Sequence, residues 1–279
     1  MSFRSTVLAV SAFVCLVAGV VSGQTISKTA PPIPVAEIIH KFAQAETDNK
    51  NARNYYTFNQ DYHVMTVGIG GNVNGDFHRI SDIVLDDRGN RFEKITSFPV
   101  PTLVGISISN EDLQDLAGVQ PFALTLEDIP KYQIDYVGTE RIDELNTYVF
   151  EVKPKKMIEG QRYFQGRIWV DDRDLQVVKA AGQAVPQVKN QAFPHFETYR
   201  ENVDGKYWFP TYTYADDMLE FKEAGALSVH MRMVVRLTNY RKFSTDIKIA
   251  GGAPADEDQK DSSGTKKPEG KPVPPPNQL

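Results

Sequence analysis

The hydrophobic period of this chain changes once and does not change back. Val35, Ile38, Ile39, Phe42 and Ala45 recur at helical steps behind Pro34, which predicts one amphipathic helix with a face laid on something apolar. From Tyr55 onward the alternation has a period of two and the runs are rich in aromatic and β-branched residues, the pattern of half-buried strands. One leading helix followed by many consecutive strands leaves few architectures open. Such strands pair antiparallel, and a sheet with so many twisted members curls. The expected class is α+β: a strongly curved antiparallel sheet, an open and incomplete β-barrel, with the helix as a lid on its concave side.

Ten strand-like runs are legible. They are Tyr55 to Val67, Asp76 to Leu85, Arg91 to Phe98, Ile134 to Glu140, Tyr148 to Lys153, Tyr163 to Val170, Gln176 to Gln183, Phe196 to Val203, Tyr207 to Tyr214 and Ser228 to Phe243. Asp204-Gly205 is the strongest hairpin signal. Gly68-Ile69-Gly70-Gly71 lacks the Lys-Ser/Thr of a phosphate loop and reads as a hairpin tip. Between Phe98 and Tyr132 the prolines Pro99, Pro101, Pro121 and Pro130 argue against central sheet. A short helix from Asn110 to Leu116, capped by Asn110 or Ser109, is expected there.

The two ends differ from the middle. Arg4 and the amino terminus precede an apolar run from Val7 to Val21, and Val21-Ser22-Gly23 offers small residues for cleavage. This is the layout of a secretory signal peptide over residues 1–23, and its apolar run is shorter than the roughly 20 apolar residues of a spanning helix. The expected location is exported and periplasmic, or membrane-associated if the segment is retained. Cys15, the single cysteine, falls inside that run, so the chain after it has no thiol for disulfides, metals or nucleophilic catalysis. At the other end, residues 250–279 are rich in Pro, Gly and charge and have no aromatic residue. They form an expected disordered tail, either a docking segment for envelope proteins or a plain solvated end.

Composition excludes several classes. Lys+Arg 31 against Asp+Glu 36 gives a net charge of -5, which does not suit wrapping nucleic acid. His40, His63, His78, His195 and His230 are scattered without a ligand motif, so neither metal nor cofactor is expected. Asp171-Asp172-Arg173-Asp174 lies between two strand-like runs, where Asp favours a turn. It is also the only support for an enzymatic reading. No nucleophile motif is present, and no catalytic residue is assigned.

Tyr148-Val149-Phe150-Glu151-Val152-Lys153-Pro154-Lys155, then Gly166-Arg167-Ile168-Trp169-Val170-Asp171, and later Gly205-Lys206-Tyr207-Trp208-Phe209-Pro210-Thr211, resemble the periplasmic lipoprotein-carrier superfamily that includes LolA, LolB and the sensor RseB. The resemblance spans most of Val35 to Ile249 and assigns residues 34–249 to a LolA-like domain. It implies an incomplete barrel with an apolar cavity for acyl chains, and a role in outer membrane lipoprotein sorting. The chain departs from the carriers in the Phe98–Tyr132 insert and the Pro-rich tail. The candidate cavity-lining residues are Ile38, Phe42, Tyr148, Phe150, Trp169, Met231 and Met233. The aromatics suit a pocket wall or plain core equally, and the methionines likewise. Strand parity leaves open whether Trp169, or Ile168 and Val170, face the hollow. The expected function is a carrier or binding protein that shields a lipid or lipoprotein acyl chain. The alternative is a non-carrier interaction or envelope-sensor module of the same fold.

Overall fold

The structure, a computed structural model, describes residues 26–86, 90–109, 112, 123–187, 192–221 and 228–243. The expected export segment, the tail and most of the short helix after Ser109 lie outside the described residues. One trace of that helix is visible. Asp112 N–H donates to Ser109 Oγ at 3.1 Å and Ser109 N–H donates back to the Asp112 carboxylate at 2.7 Å, the reciprocal pair of a capping box.

Among the described residues one long helix precedes ten strands. They are α1 (Val35–Arg53), β1 (Tyr56–Val67), β2 (Val73–Leu85), β3 (Arg91–Ser97), β4 (Tyr132–Ile142), β5 (Leu145–Pro154), β6 (Tyr163–Asp171), β7 (Val177–Val185), β8 (Phe196–Val203), β9 (Tyr207–Leu219) and β10 (Val229–Lys242). A single 3-10 turn, Ile129–Lys131, leads into β4. The strands form one sheet in the order β3-β2-β1-β10-β9-β8-β7-β6-β5-β4, each pairing antiparallel with its neighbours. β3 and β4 are edges that do not meet, so the sheet is open. Every expected strand exists, with ends shifted by a few residues. The largest difference is β9, which runs on to Leu219.

The sheet must bend. Laid flat, ten strands would span about 43 Å at a spacing of about 4.8 Å. Yet Phe77 and Ile83 of β2 share one apolar cluster with Tyr132 of β4 and with Ile38 and Phe42 of α1. A close backbone approach lies where β6 meets β7. Gly166 and Gly182 face each other there, and a Cβ on either would lie 2.1–2.2 Å from a carbonyl oxygen of the opposite strand. No side chain fits that approach.

The turns sort to the two ends of the sheet. At one end the connections β2–β3, β4–β5, β6–β7 and β8–β9 are short, and Asp204 and Gly205 both take positive φ, as a type I′ turn demands. At the other end β1–β2, with the Gly68–Gly71 tip, is as short, but β3–β4, β5–β6, β7–β8 and β9–β10 are longer. The first of these includes residues 98–109, a strap that runs beside β2. Thr102 N–H donates to Asp76 O at 2.8 Å, and Val104 N–H donates to Thr66 Oγ1 at 3.2 Å. Leu103, Ile106 and Ile108 of the strap pack on the main cluster, so α1 shares the concave side with it.

Candidate functional site

Helix α1 continues eight residues past the apolar stretch that announces it. Its buried side is Ile38, Phe42, Ala43, Glu46 and Asn49, and Arg53 continues that stripe at the last turn. The spacing is that of one helical face, but its chemistry changes halfway. The first half is apolar. The second half is polar and buried all the same, which is why apolar periodicity stops short of it.

The apolar half meets the sheet through aromatic and aliphatic contacts. Phe42 lies 5.6 Å from Phe150 between ring centroids, and Tyr136 lies 5.6 Å from the same ring. Ile38, Phe42, Tyr148, Phe150, Met231 and Met233 belong to one cluster, so six of the seven residues named from the sequence are brought together. Ile38, Phe42 and Phe150 have no accessible surface, and Met233 retains only 2%. These side chains are covered by protein on every side.

Trp169 is the correction. It belongs with Val149 and Val178 to a separate cluster on the opposite face. Alternation explains it: Tyr148 and Phe150 pair with Val170 and Ile168, so those two face α1 and Trp169 faces away. Its Nε1–H donates to Glu140 at 2.7 Å, and the Lys179 ammonium sits 4.9 Å from its ring centroid. A groove of about 700 Å³ on this side is lined by Trp169, Glu151, Arg167, Glu197, Tyr214 and Asp216, among others. Two of its acids are matched: Glu197 with Lys179 at 2.9 Å, and Asp216 with Arg232 at 2.9 Å. It reads as a salt-bridged, solvated sheet face.

The polar half of α1 is tied to the sheet by named bonds. Glu46 and Arg200 of β8 form an ion pair in which both side chains are buried. Asn49 donates to Gln176 at 2.9 Å and accepts from the Trp208 backbone N–H at 3.2 Å. Thr47 Oγ1 accepts from Leu126 N–H at 3.1 Å. Arg91 of β3 donates to Arg53 O at 2.5 Å, closing a carbonyl that the helix end would leave open. By contrast, no hydrogen bond joins residues 35–45 to the sheet among the described residues; the Glu37–Lys41 pair stays within the helix. Apolar periodicity does not register Glu46, Asn49, Arg53 or Arg200. A signal for three of them exists all the same, since 46, 49 and 53 extend the 38, 42 stripe at steps of three and four.

The remaining sequence candidates are accounted for. Asp171 Oδ2 accepts the N–H groups of Arg173 at 3.3 Å and Asp174 at 3.2 Å, so the acidic cluster builds a turn. Burial, then contact with Asp171, holds the Asp174 carboxyl above its ordinary range. His63 binds Asp76, and His78, His195 and His230 bind Asp61, Asp217 and Asp216 at 2.8, 2.8 and 2.5 Å. Among the described residues no group of three His, Cys, Asp or Glu converges as metal ligands, and no helix is long and apolar enough to cross a membrane.

No family model matches the chain, and no curated protein matches it. It is similar to several solved structures. A LolA superfamily protein from Nitrosomonas europaea is 15% identical over 72% of this chain and 94% of its own, with a TM-score of 0.31. A DUF1329 family protein from Desulfovibrio piger is 17% identical over 78% and 95%, with a TM-score of 0.36. A domain described as an outer membrane lipoprotein-sorting protein, from Vibrio parahaemolyticus, is 11% identical over 75% and 93%, with a TM-score of 0.33. Two of the three carry the superfamily or sorting descriptions to which the sequence resemblance points. All three TM-scores lie below 0.5, so the side chains must carry any functional conclusion.

Proposed function

We propose that this protein shields the acyl chain of a lipid or lipoprotein between α1 and the concave face of the sheet, as an exported carrier or binding protein of the periplasm. One observation carries the reading. Among the described residues α1 covers an apolar face yet is hydrogen-bonded to the sheet through its C-terminal half alone, which supports a lid whose N-terminal half lifts while the rest holds. An acyl chain entering there gains about 0.8 kcal/mol per buried methylene, against the apolar contacts it replaces. The end with the longer connections supports an entrance. Ile69, Val73, Phe98, Val100, Val104, Met157, Ile158 and Met218 are all exposed large apolar side chains at that end. The residues assigned to the wall are Ile38, Phe42, Tyr148, Phe150, Met231 and Met233; Trp169 lies outside it.

Native mass spectrometry of the protein from a periplasmic fraction, paired with uptake of a fluorescent fatty acid, tests this. A co-purifying lipid and saturable uptake are the expected results. A clean apo mass without uptake would overturn the carrier reading. The absence of accessible surface at Ile38, Phe42 and Phe150 favours a second reading, an interaction or envelope-sensor module with a permanently closed core. That reading expects protein partners in a pull-down, some of them lost when residues 250–279 are removed.

A further inference from the structure

An arm, residues 26–34, precedes α1 and crosses the outer edge of β4. Ser27 N–H donates to Thr139 O and Thr139 N–H donates to Ser27 O, both at 2.8 Å, a strand pairing one residue long. Tyr136 Oη–H adds a bond to Thr29 O at 2.6 Å. The edge is shaped for this contact. β4 bulges between Tyr136 and Gly138, and a Cβ on Gly138 would lie 2.3 Å from Ser27 O. Ile26 packs with the Val149, Trp169 and Val178 cluster on the face away from α1, whereas Ile33 packs on the main cluster that α1 covers. The arm therefore wraps the edge from one face of the sheet to the other.

The arm leads directly into the half of α1 that has no hydrogen bond to the sheet among the described residues. Glu37 and Ile38 N–H donate to Pro34 O at 2.9 and 3.2 Å, so the first turn of the helix is bonded to the last residue of the arm. Pro31, Pro32 and Pro34 restrict the chain between Thr29 and Val35, which reaches at most about 20 Å. We propose that residues 26–34 are a latch: seated on β4 they keep the N-terminal half of α1 down, and their release lets it lift. Ser27 and Thr29 are exposed, so water competes for these bonds, whereas the Glu46–Arg200 pair under the other half of the helix is buried. The latch thus opens before the anchor does. For its purpose, timing the access of an acyl chain, the proposal rests on the carrier reading; the latch itself needs no ligand.

Amide hydrogen exchange on the full chain tests it, read separately over residues 39–45 and 46–53. Ser27→Pro takes away the N–H that reaches Thr139 O. Exchange over 39–45 should then rise at least about fivefold, the scale of one hydrogen bond's net contribution, with 46–53 unchanged. Ser27→Ala keeps both backbone bonds and should match the parent. If Ser27→Pro does not fold by circular dichroism, Tyr136→Phe serves as the second variant, with a rise of about threefold over the same residues. Parent-like exchange over 39–45 in the variant that folds overturns the latch. An equal rise along all of α1 also overturns it, because the arm then only adds to global stability. Uptake of a fluorescent fatty acid separates the latch from the carrier reading. Uptake that quickens together with exchange supports both. Faster exchange with no uptake by parent or variant leaves the latch standing and overturns the carrier reading, and uptake that the variant leaves unchanged overturns the latch's control of access.

Discussion

The two ends of the sheet are built on different principles. At the end with the short turns, polar side chains tie helix to sheet and turn to turn: Glu46 to Arg200, Asn49 to Gln176 and Trp208, and Tyr56 Oη–H to Asp204 at 2.6 Å. At the other end most connections are long, and apolar side chains stand in water, with Ile69 fully exposed. Hydrogen bonds fix geometry because they are lost within a small displacement, whereas apolar contacts tolerate sliding and exchange of partners. One end therefore sets where α1 sits. The other holds it, among the described residues, by apolar contacts alone.

The largest expected effect breaks the fixed end. Glu46→Ala strips the carboxylate from Arg200 and leaves a guanidinium deep under the helix. Removing one member of a buried pair costs about 3–5 kcal/mol, read as a fall in the urea midpoint at constant slope. A loss under about 1 kcal/mol would show that the pair does not anchor α1. Asn49→Ala should cost less, about 1–2 kcal/mol, since it removes two neutral hydrogen bonds and leaves the Trp208 N–H to find water.

Amide hydrogen exchange sharpens the same contrast without mutation. Backbone amides in the second half of α1 should open only with the sheet, while those of the first half exchange through a local opening. Uniform protection along the whole helix would make α1 a fixed strut. At the loose end, Ile69→Ser should change stability by less than about 0.5 kcal/mol, because the side chain buries nothing, yet slow fatty-acid uptake if that end is the entrance.

These contrasts also show why some of the molecule is legible in sequence and some is not. The strands are, because alternation is a property of single runs: Tyr148, Phe150 and Val152 read as one face of a strand and are one. The side of the sheet that Trp169 takes is not, because the face a residue presents depends on pairing with β5, which no single run encodes. The C-terminal half of α1 escapes for a related reason. Glu46 and Asn49 are ordinary surface residues by type, and only Arg200, far along the chain on β8, makes burial of Glu46 tolerable. The close approach at Gly166 and Gly182 is equally hidden, since two glycines signal it only once they are known to be opposite each other.

The smallest expected effect lies at the fixed end, where one contact works against the fold. Asp174 faces Asp171 beside the Trp208 indole, and burial with that neighbour raises its pKa above the reference value of 3.8. For an acid the sign runs against stability: the folded chain holds the proton more tightly than the unfolded one, so ionisation weakens the fold as pH rises through the window above 3.8. Asp174→Asn removes the charge and keeps an oxygen for one of two donors only, since the Gln176 N–H and the Trp208 Nε1–H bind different carboxylate oxygens. The lost bond lowers melting at every pH, but the variant should gain on the parent as pH rises from below 3.8 to 7, where only the parent becomes charged. Asp216 and Asp217 behave oppositely. His230 and Arg232 lower the first, and His195 the second, so their stabilisation is present at neutral pH and lost on acidification. A melting gain for Asp174→Asn that persists unchanged at pH 3 would trace to the turn itself rather than to charge, and would remove the one electrostatic weakness assigned to the anchored end.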